Sequence, residues 1–326
     1  MTGFISPFKT ELEEFLRIRE RSVAPETFKD DIRCLRSFDV YLGRHGYTER
    51  IVPEDAVNGW IQQMQSENDV SLKTVSARLG YLRNFLRYLQ YCGVPVFIPT
   101  NPRCAEEYIP YLFSDEEIER IFQVADSFSA GSDFVRAEFP MILRMLYGCG
   151  FRIGELLSVR VGDVDFRRAT VLLRNTKNKK QRLVPMSSSL TLMLERYCMA
   201  LGLSTKPDGY LFPSRKPGKA ISKSAVYSRF ITVLKTAGIY VQPEPHKRGQ
   251  CLHCFRHVFA VRSFAQAERS GRSPESSVPY LSVYLGHFDM DGTEKYLKFG
   301  GDMFPEYTDL FESYAGDVFS EVLYEE

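Results

Sequence analysis

Apolar side chains return every three to four positions through the first part of this chain, the spacing that gives a helix one buried face. Leu12, Phe15, Leu16 and Ile18 mark a helix over 8–21. Phe28, Ile32, Leu35, Phe38 and Val40 mark a second over 24–42, and a third is expected over 53–65. The fourth, over 72–92, has the longest stripe: Leu72, Val75, Leu79, Leu82, Phe85, Leu86 and Leu89. Its other face carries Lys73, Arg78, Arg83 and Arg87, open either to solvent or to phosphates. The period then fails. Pro95, Pro99, Pro102 and Pro110 punctuate the stretch after Gly93, which reads as a linker.

Beyond it the pattern reads as one larger domain. Ser114 and Glu117 are spaced as a capping box that starts a helix. Phe139 to Leu146 reads as a buried helix, broken by Gly148 and Gly150, and a new helix begins near Arg152. Two strand-like runs, 169–174 and 182–186, flank the polar stretch 175–181, which predicts a β-hairpin with a basic tip. Helices are expected over 190–201, 223–237, 252–267, 278–285 and 292–299. The predicted fold is mainly α with a small antiparallel β-sheet. It divides into a helical domain over 1–93, a linker over 94–110 and a larger domain over 111–326 ending in an acidic tail.

Composition agrees with two real cores: 326 residues with 44% hydrophobic side chains. No run of about 18 apolar residues marks a membrane span, and the N-terminal residues lack the basic-then-apolar order of a secretion signal, so a cytoplasmic location is expected. Seven scattered cysteines, an odd number, read as reduced thiols rather than a disulfide framework. Cys251 and Cys254, with His253 and His257 beside them, are the candidate zinc ligands; a structural site usually needs a second ligand pair, and none is evident, so no metal is expected.

A net charge of +1 argues against a nucleic-acid partner until its distribution is read. From Leu172 to Arg256 there are sixteen Lys and Arg against three acids, and from Gly301 to Glu326 eight acids and no Lys or Arg. A basic working face fits DNA, whose affinity for proteins is built from phosphate neutralisation.

Six residues make chemical sense only together: Arg152, Lys177, His253, Arg256, His287 and Tyr296. A phosphodiester repels nucleophiles and gains charge as phosphorus becomes five-coordinate. Without a metal, that charge needs fixed cationic donors, and the planar fork of arginine supplies them. Arg152, near a helix start where free amides add to anion binding, and Arg256 are the candidates. Tyr296 is the candidate nucleophile, its phenol needing help to lose a proton; Tyr280 and Tyr284 are read as packing residues. His253 shares a helix face with Arg256 and would serve as general base or hydrogen-bond donor. His287 is a second donor or a helix cap, and His257 a buried structural histidine. A sugar hydroxyl leaves only if protonated, and a lysine on a hairpin tip can reach in to supply the proton. Lys177, Lys179 and Lys180 compete for that role, with phosphate contact left to the other two.

In order and spacing these residues resemble the tyrosine recombinases of the phage-integrase type. Arg152-Ile153-Gly154-Glu155-Leu156 is similar to that family's first arginine motif, and the hairpin Lys177 to Pro185 to its lysine-bearing hairpin. Aligning on Arg182-Leu183-Val184-Pro185 gives Lys177 the catalytic lysine's position. His253-Cys254-Phe255-Arg256-His257 resembles the His-x-x-Arg box, with Phe255 where the family usually has Leu and Val258 where it has Thr; Leu285-Gly286-His287 and Tyr296 match its C-terminal box.

The resemblance implies a two-domain DNA clamp, a helical core-binding domain plus a catalytic domain. Tyr296 would form a 3′-phosphotyrosyl link and the exchange would pass through a Holliday junction, with no cofactor. Lys73, Arg78, Arg83, Lys179, Lys180 and Arg182 would contact DNA. The partners implied are duplex DNA with specific recombination sites, further copies of the chain (a dimer per site, a tetramer in synapsis) and accessory DNA-bending or partner recombinase proteins. The protein would be nucleoid-associated and serve a mobile element. A type IB topoisomerase-like nicking-closing enzyme and a non-catalytic DNA-binding protein of the same fold are the alternatives; the helical first domain speaks against the former and the complete set of six against the latter.

Overall fold

A computed structural model of the chain describes residues 3–68, 70–102, 109–127, 133–174, 181–245, 247–287, 290–294 and 296. It divides into two compact units, Met1–Tyr108 and Ile109–Glu326.

The first unit is built from α1 (Lys9–Ser22), α2 (Pro25–Arg44), α3 (Glu54–Asn68) and α4 (Leu72–Tyr91). Most of the apolar stripes read from the sequence are its core, with Trp60 at the centre, its ring 5.4 Å from Phe38 and nearly edge-on. Ile18, Val40 and Leu72, counted into the same stripes, are exposed; Leu72 is the first residue of its helix, where the buried face has yet to close. Two buried carboxylates are matched rather than orphaned. Asp31 pairs with Arg19 at 2.9 Å, and Asp39 accepts the N–H groups of Ile5 and Ser6, pinning the N-terminal segment. The stretch expected to be linker from residue 94 begins as part of this unit. Val94 is in the core, Val96 bridges Val52, and the Phe97 N–H donates to the Val52 carbonyl at 2.8 Å.

The second unit contains α5 (Asp115–Asp126), α6 (Asp133–Cys149), α7 (Ile153–Leu156), strands β1 (Val164–Asp165), β2 (Thr170–Leu173) and β3 (Arg182–Pro185), then α8 (Ser188–Ala200), α9 (Lys223–Thr236), α10 (His253–Arg269), α11 (Pro274–Leu285) and α12 (Asp291–Glu294). The fold is mainly helical with one antiparallel sheet in the order β1-β2-β3. Strand β1 is two residues long, too short for an alternation to signal it. The expected hairpin is β2–β3, with Leu173 opposite Arg182; its tip, 175–180, lies outside the described residues. The capping box of Ser114 and Glu117 is present. Helix α11 starts earlier than expected, capped by Ser273 with Pro274 in its first turn, where a missing N–H costs nothing. The acidic tail and half of the helix expected over 292–299 lie outside the described residues. Among the described residues no helix is long and apolar enough to cross a membrane.

Phe255 organises the core beneath the site. Its ring meets Phe113, Phe122, Tyr147 and Phe230 at centroid distances of 5.6, 6.4, 6.3 and 5.7 Å. Truncation to Phe255→Ala is expected to cost roughly 3–5 kcal/mol, as for buried aromatics generally. Val283→Ala, at a residue 77% exposed, is expected to stay within about 0.5 kcal/mol. Urea unfolding of the two variants checks the contrast.

Candidate active site

Three structural features meet where the motifs converge. The turn after α6 ends at Gly150, whose φ of +61° is natural for glycine and whose added Cβ would come within 2.6 Å of the Phe259 ring. Arg152 follows as the N-cap of α7. Helix α10 carries His253, Arg256 and His257 on successive turns. Helix α11 ends at Gly286, in the left-handed conformation at φ +66°, with the His287 N–H returning to the Ser282 carbonyl at 3.0 Å.

The arginines are held by backbone carbonyls. Arg256 is fully buried, at 0% exposure; Nη1 donates to the Gly150 carbonyl at 2.8 Å and Nη2 to that of Leu285 at 2.7 Å. Arg152 donates through Nη1 and Nη2 to the Gly286 carbonyl at 3.4 and 3.5 Å. The C-terminus of α11 thus turns its partial negative charge on both guanidinium groups. Glu155, buried, is the shared counter-ion. Arg152 Nη1 donates to its Oε1 at 2.8 Å and Arg182 Nη2 to its Oε2 at 2.9 Å. Burial pushes this carboxyl up, but the hydrogen bonds and charges of Arg182 and Arg152 outweigh it and hold it below the usual value. Arg256 is pushed down to about 10, by burial first and then by the charge of Arg152. It remains cationic at neutral pH, and its Nε has no partner among the described residues.

Tyr296 is 4% exposed, its ring packed in the small apolar cluster of Ala260, Phe264, Val278, Leu281 and Leu285. Its hydroxyl lies 3.1 Å from His257 Nδ1. Burial raises the phenol's pKa, while Arg256 and Arg152 pull the other way. His253 stacks edge-on to His257 at 4.6 Å. Burial, then Arg256 and Arg152, push His253 down to about 4; burial, then His253 and Arg256, push His257 down to about 3, so both rings are neutral at neutral pH. His287 has a fixed tautomer. Arg256 Nη2 donates to its Nε2 at 3.1 Å, so the proton sits on Nδ1, which donates to Thr293 Oγ1 at 2.5 Å.

The structure therefore brings together Arg152, His253, Arg256, His287 and Tyr296 of the six residues singled out by sequence. Lys177, Lys179 and Lys180 lie outside the described residues. Four differences stand out. Arg182, expected at the DNA, turns inward: its side chain is 12% exposed and engages Glu155 with both Nη atoms. The amide of Arg152, expected to help bind an anion, donates to Glu155 Oε2. His287, expected as a donor or a helix cap, accepts from Arg256. His257, read as a structural histidine, lies within hydrogen-bond reach of the Tyr296 hydroxyl; the four-residue step from His253, which puts both rings on one helix face, was the signal for it. Tyr284 packs as expected, stacked on Phe259 at 5.3 Å, whereas Tyr280 is exposed. In the first unit, Lys73 is exposed on α4, Arg78 Nη1 reaches Met64 Sδ at 3.3 Å, and Arg83 Nη1 reaches the Pro99 carbonyl at 3.5 Å.

A profile of the Phage integrase family matches residues 112–298. The chain belongs to that family: it is a tyrosine recombinase, an enzyme class that transfers DNA strands. It is 30% identical to the integrase/recombinase y4rB of Sinorhizobium fredii, over 90% of this chain and 93% of that one. It is 28% identical to the tyrosine recombinase XerD of Pseudomonas putida, over 73% and 81%. Among solved structures, the XerH site-specific recombinase in its pre-cleavage complex with difH has the same fold, with a TM-score of 0.66 at 18% identity over 90% of this chain and 81% of that one.

Glu155 and Gly286 can each be tested by substitution. A carboxyl whose folded value is depressed stabilises fully above its ordinary value of 4.5, and that stability is lost as pH falls through the lower folded value. Glu155→Gln should cost about 3 kcal/mol at pH 7, since it leaves guanidinium groups without their counter-ion. The gap to wild type should narrow below pH 4.5 in urea titrations at stepped pH. Gly286→Ala forces a left-handed alanine, costing about 1–2 kcal/mol. Its Cβ would also come within 2.6 Å of Arg182 Nη1, so covalent DNA adduct formation should fall along with thermal stability.

Proposed function

We propose that this chain is a site-specific DNA recombinase, or integrase, in which Tyr296 attacks the scissile phosphate and forms a 3′-phosphotyrosyl link. The bond from phosphorus to the 5′ oxygen breaks, and that oxygen takes a proton and leaves as a hydroxyl. A 5′-hydroxyl from a partner strand reverses the step, so bond energy is conserved in the protein–DNA link. Arg152 and Arg256 bind the non-bridging oxygens. His253 and His257 stand where a base for the phenol is needed, and His287 completes the phosphate site. Lys177, between β2 and β3 in sequence, is the proton donor to the leaving oxygen. The observation that carries this reading is the burial of the Tyr296 hydroxyl on His257, beside the fully buried Arg256. With Arg256 and Tyr296 both this enclosed, a phosphate reaches them only if covering groups move, so the bare protein holds its nucleophile closed.

The substrate proposed is duplex DNA carrying specific recombination sites, with Lys73, Arg78, Arg83, Lys179 and Lys180 as phosphate contacts. Relatives support the assembly: solved structures of this fold include a lambda integrase dimer bound to a COC′ core site and a lambda integrase tetramer bound to a Holliday junction. A dimer per site and a tetramer in synapsis, passing through a Holliday junction, extend that to this chain. A mobile element is the genetic setting favoured, as with the Tn1549 transposon integrase of the same fold, and the cytoplasmic nucleoid is the location. The domain roles proposed are DNA gripping for residues 1–93 and catalysis for 111–326, joined by the segment 94–110.

Incubation with nicked duplexes from the ends of its native element, without metal or ATP, tests this on denaturing gels. A covalent adduct should form, vanish in Tyr296→Phe, and form about 100- to 1000-fold more slowly in Arg256→Lys, the loss typical of one oxyanion donor. An adduct persisting in Tyr296→Phe would reassign the nucleophile.

A further inference from the structure

Two nucleophilic side chains flank His253 and have no part in the chemistry above. Cys251 lies just before the N-cap of α10, and Cys254 is the second residue of the helix. Their sulfurs are 3.8 Å apart; the Cys251 N–H donates to Cys254 Sγ at 3.4 Å, and the Cys254 N–H to the Cys251 carbonyl at 2.9 Å. A disulfide needs about 2.05 Å between sulfurs. Side-chain rotation with a small shift of the helix start closes that gap. Cys251 is half-buried and within reach of a small molecule, whereas Cys254 is fully enclosed.

The electrostatics divide the labour within the pair. The hydrogen bond from Cys254 lowers the Cys251 thiol; burial opposes this, and the amides of His253 and Cys254 and the charge of Arg248 add to the lowering. Cys254 is raised, by the same hydrogen bond and by burial. Cys34 and Cys149 show the contrast: burial pushes each up to about 12, the state of an inert core thiol. Among the described residues no group of three or more His, Cys, Asp or Glu side chains is placed to hold an ion.

We propose that Cys251 and Cys254 are a redox-active dithiol that low-molecular-weight disulfides convert to an intramolecular disulfide, and that this bond slows strand cleavage by displacing His253. In the first step the Cys251 thiolate attacks the small disulfide, forming a mixed disulfide and releasing one small thiolate. In the second, Cys254 attacks Cys251 Sγ, forming the protein disulfide, and its proton passes to the departing small thiolate, which leaves as a thiol. The two protein sulfurs are oxidised and the small disulfide is reduced to two thiols. His253 lies between the two cysteines, with its ring on His257 and the latter on the Tyr296 hydroxyl. Drawing the sulfurs together moves the turn that carries His253. The effect on cleavage rests on the recombinase reading; the dithiol chemistry does not.

The full chain, equilibrated in glutathione redox buffers from reducing to oxidising, is alkylated and mapped by peptide mass, and adduct formation is timed in parallel. The expected result is loss of two hydrogens from the peptide containing both cysteines. Cleavage should slow by up to about 100-fold, the cost of a misplacement near 1 Å, and recover with reductant. Cys251→Ser should cleave normally and ignore the buffer, and Cys254→Ala provides a second check should either variant fold poorly. Two free thiols throughout the series, a mixed disulfide that never resolves, unchanged cleavage after complete oxidation, or an undiminished response in Cys251→Ser would each overturn the proposal. Absence of any adduct from the reduced protein would count against the recombinase reading, while the mass map would still decide whether the dithiol forms.

Discussion

Glu155 is the counter-charge on which the site depends. Arg152 and Arg182 both bind it, and Arg256 sits close enough for their charges to add to burial in depressing its own pKa. Three guanidinium groups around one carboxylate leave the cluster net positive in a poorly solvated place. Burying like charges together is costly unless something fixes and partly neutralises them. Glu155 does this without cancelling the field, so the cluster stays net positive.

Backbone carbonyls do the rest of the positioning. Gly150 and Gly286 end their helices in conformations natural to glycine, and both present carbonyls to the arginines. Gly286 meets a second demand, since any side chain there would strike Arg182. Its Leu-Gly-His setting is therefore a geometric requirement of the arginine cradle as well as a helix stop. Carbonyls hold a guanidinium in place while adding only partial charge, weaker than the charge-assisted bond that a phosphate oxygen would make.

Much of this was legible in the sequence because helices announce themselves by period. The stripes on α2 and α4 became core, and the capping box at Ser114 formed. The convergence of Arg152, Arg256, His287 and Tyr296 was legible only through the spacing of motifs, since no local rule brings α6, α10 and α11 to one point. What stayed hidden was partnership. A sequence shows that Arg182 is basic but not that it faces a buried carboxylate, and shows His257 as one more apolar-face histidine but not that a phenol rests on it. Such facts depend on tertiary approach, and they decide roles. The packing of residues 94–97 on the first unit was hidden similarly: Val94 lies in its core and Val96 bridges Val52, far away in sequence.

The histidines show why the charges and the chemistry belong together. In the bare protein His253 and His257 are neutral, in part because the site's own cations repel a further proton. The His287 Nε2 lone pair is taken by Arg256, which only donates. An anion seated on Arg152 and Arg256 would cancel that repulsion and compete for the Arg256 donors. Both effects act against only part of what keeps the rings neutral, since burial is the larger cause. The cationic cradle thus adds to burial in holding His253 and His257 neutral beside the Tyr296 hydroxyl.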